Sequence, residues 1–146
     1  LSFVEIKKEI RYLEITDTIS RKSLQLRRHE KNYFLYSPEN MEEESTAVHA
    51  YLGELNDLLT KNPAIDRAEN LSLRKSITEY EQRFTTIEGE ARRLAGLFTR
   101  VKAAYGKDEK KYFPLIYQNY GRLFHLQQKY GLQALQNHIH RLPQLE

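Results

Sequence analysis

Residues 73–105 read LRKSITEYEQRFTTIEGEARRLAGLFTRVKAAY, and the apolar members of this stretch step 4, 3, 4, 3 without a miss: Leu73, Ile77, Tyr80, Phe84, Ile87, Ala91, Leu94, Phe98, Val101 and Tyr105. Such stepping is a heptad seam, the pattern that keeps one side of a helix against a partner. At a rise of ~1.5 Å per residue the segment is a helix about 50 Å long, so it needs partners of similar length. Arg74, Lys75, Glu79, Glu81, Arg92 and Arg93 fall between the seam positions and turn the other face to water.

Working outward, residues 3–36 form the first such partner. Ile6, Ile10 and Leu13 lead into a seven-residue recurrence at Tyr12, Ile19, Leu26 and Tyr33, flanked by Ile15, His29 and Tyr36. Ser37 and Pro38 then offer an N-cap and a first helical residue, which predicts a tight turn into a helix from about Pro38 to Lys61. That helix holds six acidic residues and no lysine or arginine before Lys61, with an inner stripe of Val48, Tyr51, Leu52, Leu55, Leu58 and Leu59. Asn62 and Pro63 break the pattern, and the seam helix is expected to start near Ala64.

Gly106 stands where a helix C-cap belongs, and Asp108 supplies the next N-cap. The last helix carries Phe113, Ile116, Tyr120, Leu123, Gln127, Tyr130 and Ala134, followed by a shifted set at Leu132, Leu135, Ile139 and Leu142, with the phase change at Gly131. Pro114 is expected to kink this helix or mark its start, and Pro143 to end it. Short turns between long helices make neighbours antiparallel. The fold expected is therefore all-α: one domain over residues 1–146, an elongated up-down-up-down four-helix bundle with both termini at one end.

Composition sets further bounds. A chain of 146 residues closes a core without staples, and the absence of Cys excludes disulfides, thiolate metal sites and a cysteine nucleophile. The net charge is +3 with acidic residues interleaved among the basic doublets, so no nucleic-acid partner is called for. The chain opens at Leu1 rather than Met, and no apolar run approaches the roughly 18 to 20 residues that cross a bilayer; it reads as a soluble piece of a longer protein.

The chemistry-bearing residues gather in Arg27-Arg28-His29-Glu30-Lys31-Asn32-Tyr33-Phe34-Leu35-Tyr36. His29 and Glu30 begin like a zinc-protease helix, but Tyr33 stands where the second histidine is needed. His138 and His140 lie about 200° apart around a helix and do not chelate together. No phosphate-cradling glycine loop, serine elbow or distinguished carboxylate pair occurs, so neither a reaction nor a cofactor or metal is expected. Glu30 falls one turn from Arg27, and the spacing predicts a charge clasp between them. Should a small anionic compound bind, Arg27, Arg28, His29 and Tyr33 are its expected contacts, two guanidinium forks and an amphipathic ring among them.

The decamer RRHEKNYFLY resembles the R-x-x-E-K-[ND]-[FY]-[FL]-L motif found late in the first long helix of extracytoplasmic sensor domains of bacterial transmembrane histidine kinases and chemoreceptors. Arg27, Glu30, Lys31, Asn32, Tyr33, Phe34 and Leu35 match it in order. Weaker echoes are the Tyr80–Phe84 spacing and the glycines Gly121 and Gly131 of the last helix. The resemblance is specific over about ten residues, architectural over the rest, and closest to single-module kinase sensors. It implies a non-catalytic periplasmic input domain of a membrane-anchored two-component receptor, responding to an unknown small molecule or a periplasmic protein, and pairing weakly as a homodimer along the first helix. A chemoreceptor ligand-binding domain and a cytoplasmic helical interaction or scaffold module are the alternatives.

Overall fold

The structure, a computed structural model, describes residues 2–36, 41–62, 67–129 and 132–143, without the side chains of residues 36, 67, 115–117, 119, 120, 122–124, 126 and 129. Five helices follow one another: α1 (Phe3–Tyr36), α2 (Met41–Lys61), α3 (Arg67–Tyr105), α4 (Glu109–Lys129) and α5 (Gln133–His140). Among the described residues there is no strand. The expected turn at Ser37 and Pro38 and the start near Ala64 lie outside the described residues.

The seam of α3 is buried from Leu73 through Ile77, Tyr80, Phe84, Ile87 and Ala91 to Leu94. Against it pack Ile15, Ile19, Leu26 and Tyr33 of α1 and Val48, Leu52, Leu55 and Leu59 of α2. Rings meet at the centre, where Tyr33 lies edge-on to Phe84 at 5.0 Å and Tyr80 stacks on Phe84 at 6.0 Å. The heptad stripe of α1 works only from Tyr12 onward. Phe3, Val4, Ile6 and Ile10 are exposed, Phe3 at 71%.

Polar pairs fix the direction of each helix. Arg11 donates to Asn62 at 2.9 Å and His29 meets Glu44 at 2.6 Å, which makes α1 and α2 antiparallel. Asn70 donates to the carbonyl of Leu59 at 2.9 Å, while Arg92 reaches Glu42 at 3.0 Å, so α3 runs back along α2. Past Arg92 the chain of α3 lies beyond the start of α2, and the seam opens accordingly. Phe98 and Val101 are half-buried, and Tyr105 is 47% exposed. The seam was expected to stay covered to Tyr105; a helix of 39 residues outruns a 21-residue partner. Gly106 takes φ of +60°, the left-handed value a C-cap requires and which a Cβ disfavours.

The last limb corrects the sequence expectation of a single helix, since α4 and α5 are separate. The reason is visible in the two apolar phases: Leu132, Leu135, Ile139 and Leu142 are buried, whereas Ala134, which continues the earlier phase, is exposed. One unbroken helix could not turn both phases to the same core. Pro114 lies inside α4 and does not start it, while Pro143 lies past the end of α5 as expected.

The graded burial of the seam yields a differential prediction. Replacing Phe84 by Ala should destabilise the fold by ~3 to 5 kcal/mol, as truncation of a packed ring does, and replacing the half-buried Phe98 should cost clearly less. Urea denaturation of the two variants checks it; equal losses would mean that α3 is covered along its whole length.

Candidate functional site

The deepest charge in the motif is Glu30. It occupies a core-facing position on α1 between Leu26 and Tyr33, and only 8% of its surface is exposed. An ionised carboxylate so placed needs hydrogen bonds to replace its lost hydration. Two arrive from other helices: the Tyr80 hydroxyl of α3 donates to Oε1 at 2.8 Å, and the Gln127 amide of α4 donates to Oε2 at 2.9 Å. One carboxylate thus joins α1, α3 and α4.

Burial pushes the Glu30 pKa above the ordinary carboxylate value, outweighing the opposing pull of the Tyr80 and Gln127 donors and of the Arg27 charge. Burial and the neighbouring Glu30 charge raise the Tyr80 phenol well above its usual range, so it remains a donor at any physiological pH. The expected Arg27–Glu30 clasp takes a different form. Arg27 is exposed and acts on Glu30 through space, because one turn along α1 carries its stem to the wet edge of the stripe, while Tyr80 and Gln127 make the contacts.

Beside Glu30 lies a cavity of about 230 Å³ lined by Glu30, Gln127, Gln128, Leu132 and Gln133, where α4 gives way to α5. A more open groove of about 400 Å³ runs between α1 and α2, lined by Thr18, Arg21, Lys22, Leu24, Gln25 and Tyr51. Its two cations have partners, Arg21 with Asp17 at 3.2 Å and Lys22 with Glu54 at 3.5 Å.

The four residues expected at an anion site point different ways. Arg27 and Arg28 are exposed, His29 lies flat against Tyr51 at 5.5 Å with its Nδ1 on Glu44, and Tyr33 is in the core. Successive helical positions are about 100° apart, so residues 27, 28 and 29 cannot share a face. Burial, with the charge of Glu88 second, lifts the Tyr33 phenol above its usual range.

A second buried polar group sits between α2 and α3. Glu88 accepts from Ser45, meets His49 Nε2 at 2.6 Å and reaches Arg92 at 3.5 Å. Further along, Ser23 of α1 donates to the Gln136 side chain, whose amide returns a bond to the Ser23 carbonyl at 3.2 Å, and Ser76 of α3 meets His138 at 2.6 Å. These pairs hold α5 to α1 and α3. Sequence reasoning missed Tyr80, Gln127, Glu88 and Gln136 as polar partners. Gln127 carried the one usable signal, an amide at a position where the stripe calls for a hydrocarbon.

Among the described residues no three His, Asp or Glu side chains stand together as a metal site, and no helix is long and apolar enough to cross a membrane. No family model matches the chain, and no curated protein or solved structure shows significant similarity to it.

The raised pKa of Glu30 sets the sign of a pH effect. Protonation is favoured by folding, so this group's contribution to stability is fully present below its unfolded value of 4.5 and is lost as pH rises through the higher folded value. Glu30→Gln, which keeps an acceptor and removes the charge, should therefore be at least as stable as the parent at pH 7.5, with the advantage shrinking towards pH 4.5. Glu30→Ala should lose about 1 to 3 kcal/mol by leaving the Tyr80 and Gln127 donors without an acceptor. Denaturation curves at the two pH values distinguish these outcomes; a Gln variant markedly weaker at pH 7.5 would mean that the ionised form is the stabilising one.

Proposed function

We propose that the chain is an extracytoplasmic sensing domain of a bacterial membrane receptor, of the kind attached to histidine kinases, which converts binding of a ligand or partner into displacement of one helix against another. The observation that carries this reading is the position of Glu30. The glutamate of the sensor-like motif is the residue on which α1, α3 and α4 converge, so a change at that point alters the relation of the first helix to the last limb. Packed helices prefer discrete arrangements to smooth bending, and a ligand that prefers one arrangement tenfold shifts the balance by about 1.4 kcal/mol.

The route needs a particular topology, an up-down-up-down bundle in which α4 and α5 together make the fourth limb and both chain ends lie at one end. The antiparallel α1–α2 and α2–α3 pairs support it, as does the Ser23–Gln136 contact between α1 and α5. Spin labels on Arg11 and Arg141 should lie much closer together than either lies to a label on Leu35, which is about 36 Å along α1 from Arg11. A label on Arg141 nearer to Leu35 defeats the topology and the route with it.

One observation favours the alternative of a helical interaction module inside the cell: the uncovered apolar residues Phe3, Val4, Ile6 and Ile10 at the start of α1 offer a contact surface. The parent gene separates the two. The sensor reading requires an apolar segment of about 20 residues on each side of this domain, and recovery of the full-length protein in membranes. A full-length product that stays out of the membrane fraction overturns it.

A further inference from the structure

The cavity beside Glu30 has a chemical character of its own. Among the described residues its walls carry one carboxylate, three amide side chains (Gln127, Gln128 and Gln133) and the hydrocarbon of Leu132. Gln127 already spends its N–H on Glu30, while Gln128 and Gln133 are on the outer wall, exposed to solvent. Each Glu30 oxygen accepts one bond, from Tyr80 or Gln127, and a carboxylate has room for about four. At about 230 Å³ the space equals some seven or eight waters at roughly 30 Å³ each, too small for a drug-sized compound and right for one of a few heavy atoms.

Three ligand classes can be weighed against those walls. A carboxylate or phosphate would face the Glu30 charge at short range, with Arg27 on the exposed edge of α1 rather than in the wall. A neutral alcohol would hydrogen-bond to the amides but leave the buried charge as it was. An ammonium group brings three N–H donors and a positive charge to a wall rich in oxygen acceptors. It also relieves the penalty of holding Glu30 ionised away from water.

We propose that this cavity binds a small protonated primary amine, its ammonium group against Glu30 and the amide oxygens of Gln128 and Gln133, and its short hydrocarbon against Leu132. Because the occupant sits where α4 gives way to α5 and touches the carboxylate that joins α1 to α3, it is placed to favour one arrangement of the last limb over another. In making the cavity the input site, the proposal rests on the sensor reading above; binding itself is separable from that reading.

The test titrates the chain at pH 7.5 with ethylammonium, propylammonium and ethanolamine, and in parallel with propionate and propanol, following side-chain amide resonances by NMR. Saturable shifts of the Gln127, Gln128 and Gln133 amides are expected with the amines and not with the other two. Affinity should fall at least tenfold in Glu30→Gln, and measurably in Gln128→Ala, a wall variant that removes no core contact. Amides unmoved by every amine, equal response to propionate or propanol, or affinity within twofold of the parent in Glu30→Gln would each overturn the site. Amine binding without any change in the output of the full-length receptor would uphold the site and overturn its role as the input, a result distinct from the membrane test of the sensor reading.

Discussion

A 39-residue helix cannot keep its own apolar stripe out of water, and every other helix is placed by that need. The stripe of α3 winds slowly enough to face one direction over many turns. α1 and α2 cover it along its first two thirds, and α4 and α5 also pack against α3. Where a partner runs out the stripe opens. Burial is nearly complete at Phe84 and Ile87, partial at Phe98 and Val101, and lost at Tyr105.

Within this hydrocarbon frame the chain buries a small number of polar groups, and their arrangement is not random. Most join different helices, Glu30 to Tyr80 and Gln127, Glu88 to Ser45 and His49, Gln136 to Ser23, while Thr16 bonds the Leu13 carbonyl of its own helix. Hydrocarbon contacts tolerate a helix sliding by part of a turn. A carboxylate with two donors does not, because moving a donor by 1 Å breaks a bond that the buried group cannot replace from water. These groups therefore fix the register of helices whose seams alone would allow several. The surface ion pairs, such as Arg93 with Glu90 at 3.0 Å, are screened by solvent and contribute little to that choice.

The sensor proposal and the amine proposal draw on the same property of Glu30 in different ways. A carboxyl group buried in a low-dielectric site is responsive, because any cation or proton that reaches it changes the local electrostatics more than the same event would at the surface. Its two donors belong to α3 and α4, so the response is felt in more than one helix at once.

The amino-acid sequence by itself determined the helical class, the limits of α1 and the turn at Gly106, because periodicity, capping and left-handed glycine are local properties that 10 to 30 consecutive residues specify. It also carried the division of the last limb, in the change of phase between Ala134 and the set at Leu132, Leu135, Ile139 and Leu142, although as a shift within one helix rather than a break. The candidate site was legible only in part. Glu30 stood out within its motif, yet Arg27, one turn away, acts on it only through space, and its hydrogen-bond donors come from elsewhere. Tertiary structure decided that, since Tyr80 and Gln127 lie 50 and 97 residues away and come to Glu30 only when three helices pack. Whether Arg28 or Glu30 of one helix faces the core is a matter of phase, which a sequence shows. Which distant donor meets the buried carboxylate depends on how far each helix slides along its neighbour, and no local pattern encodes that distance.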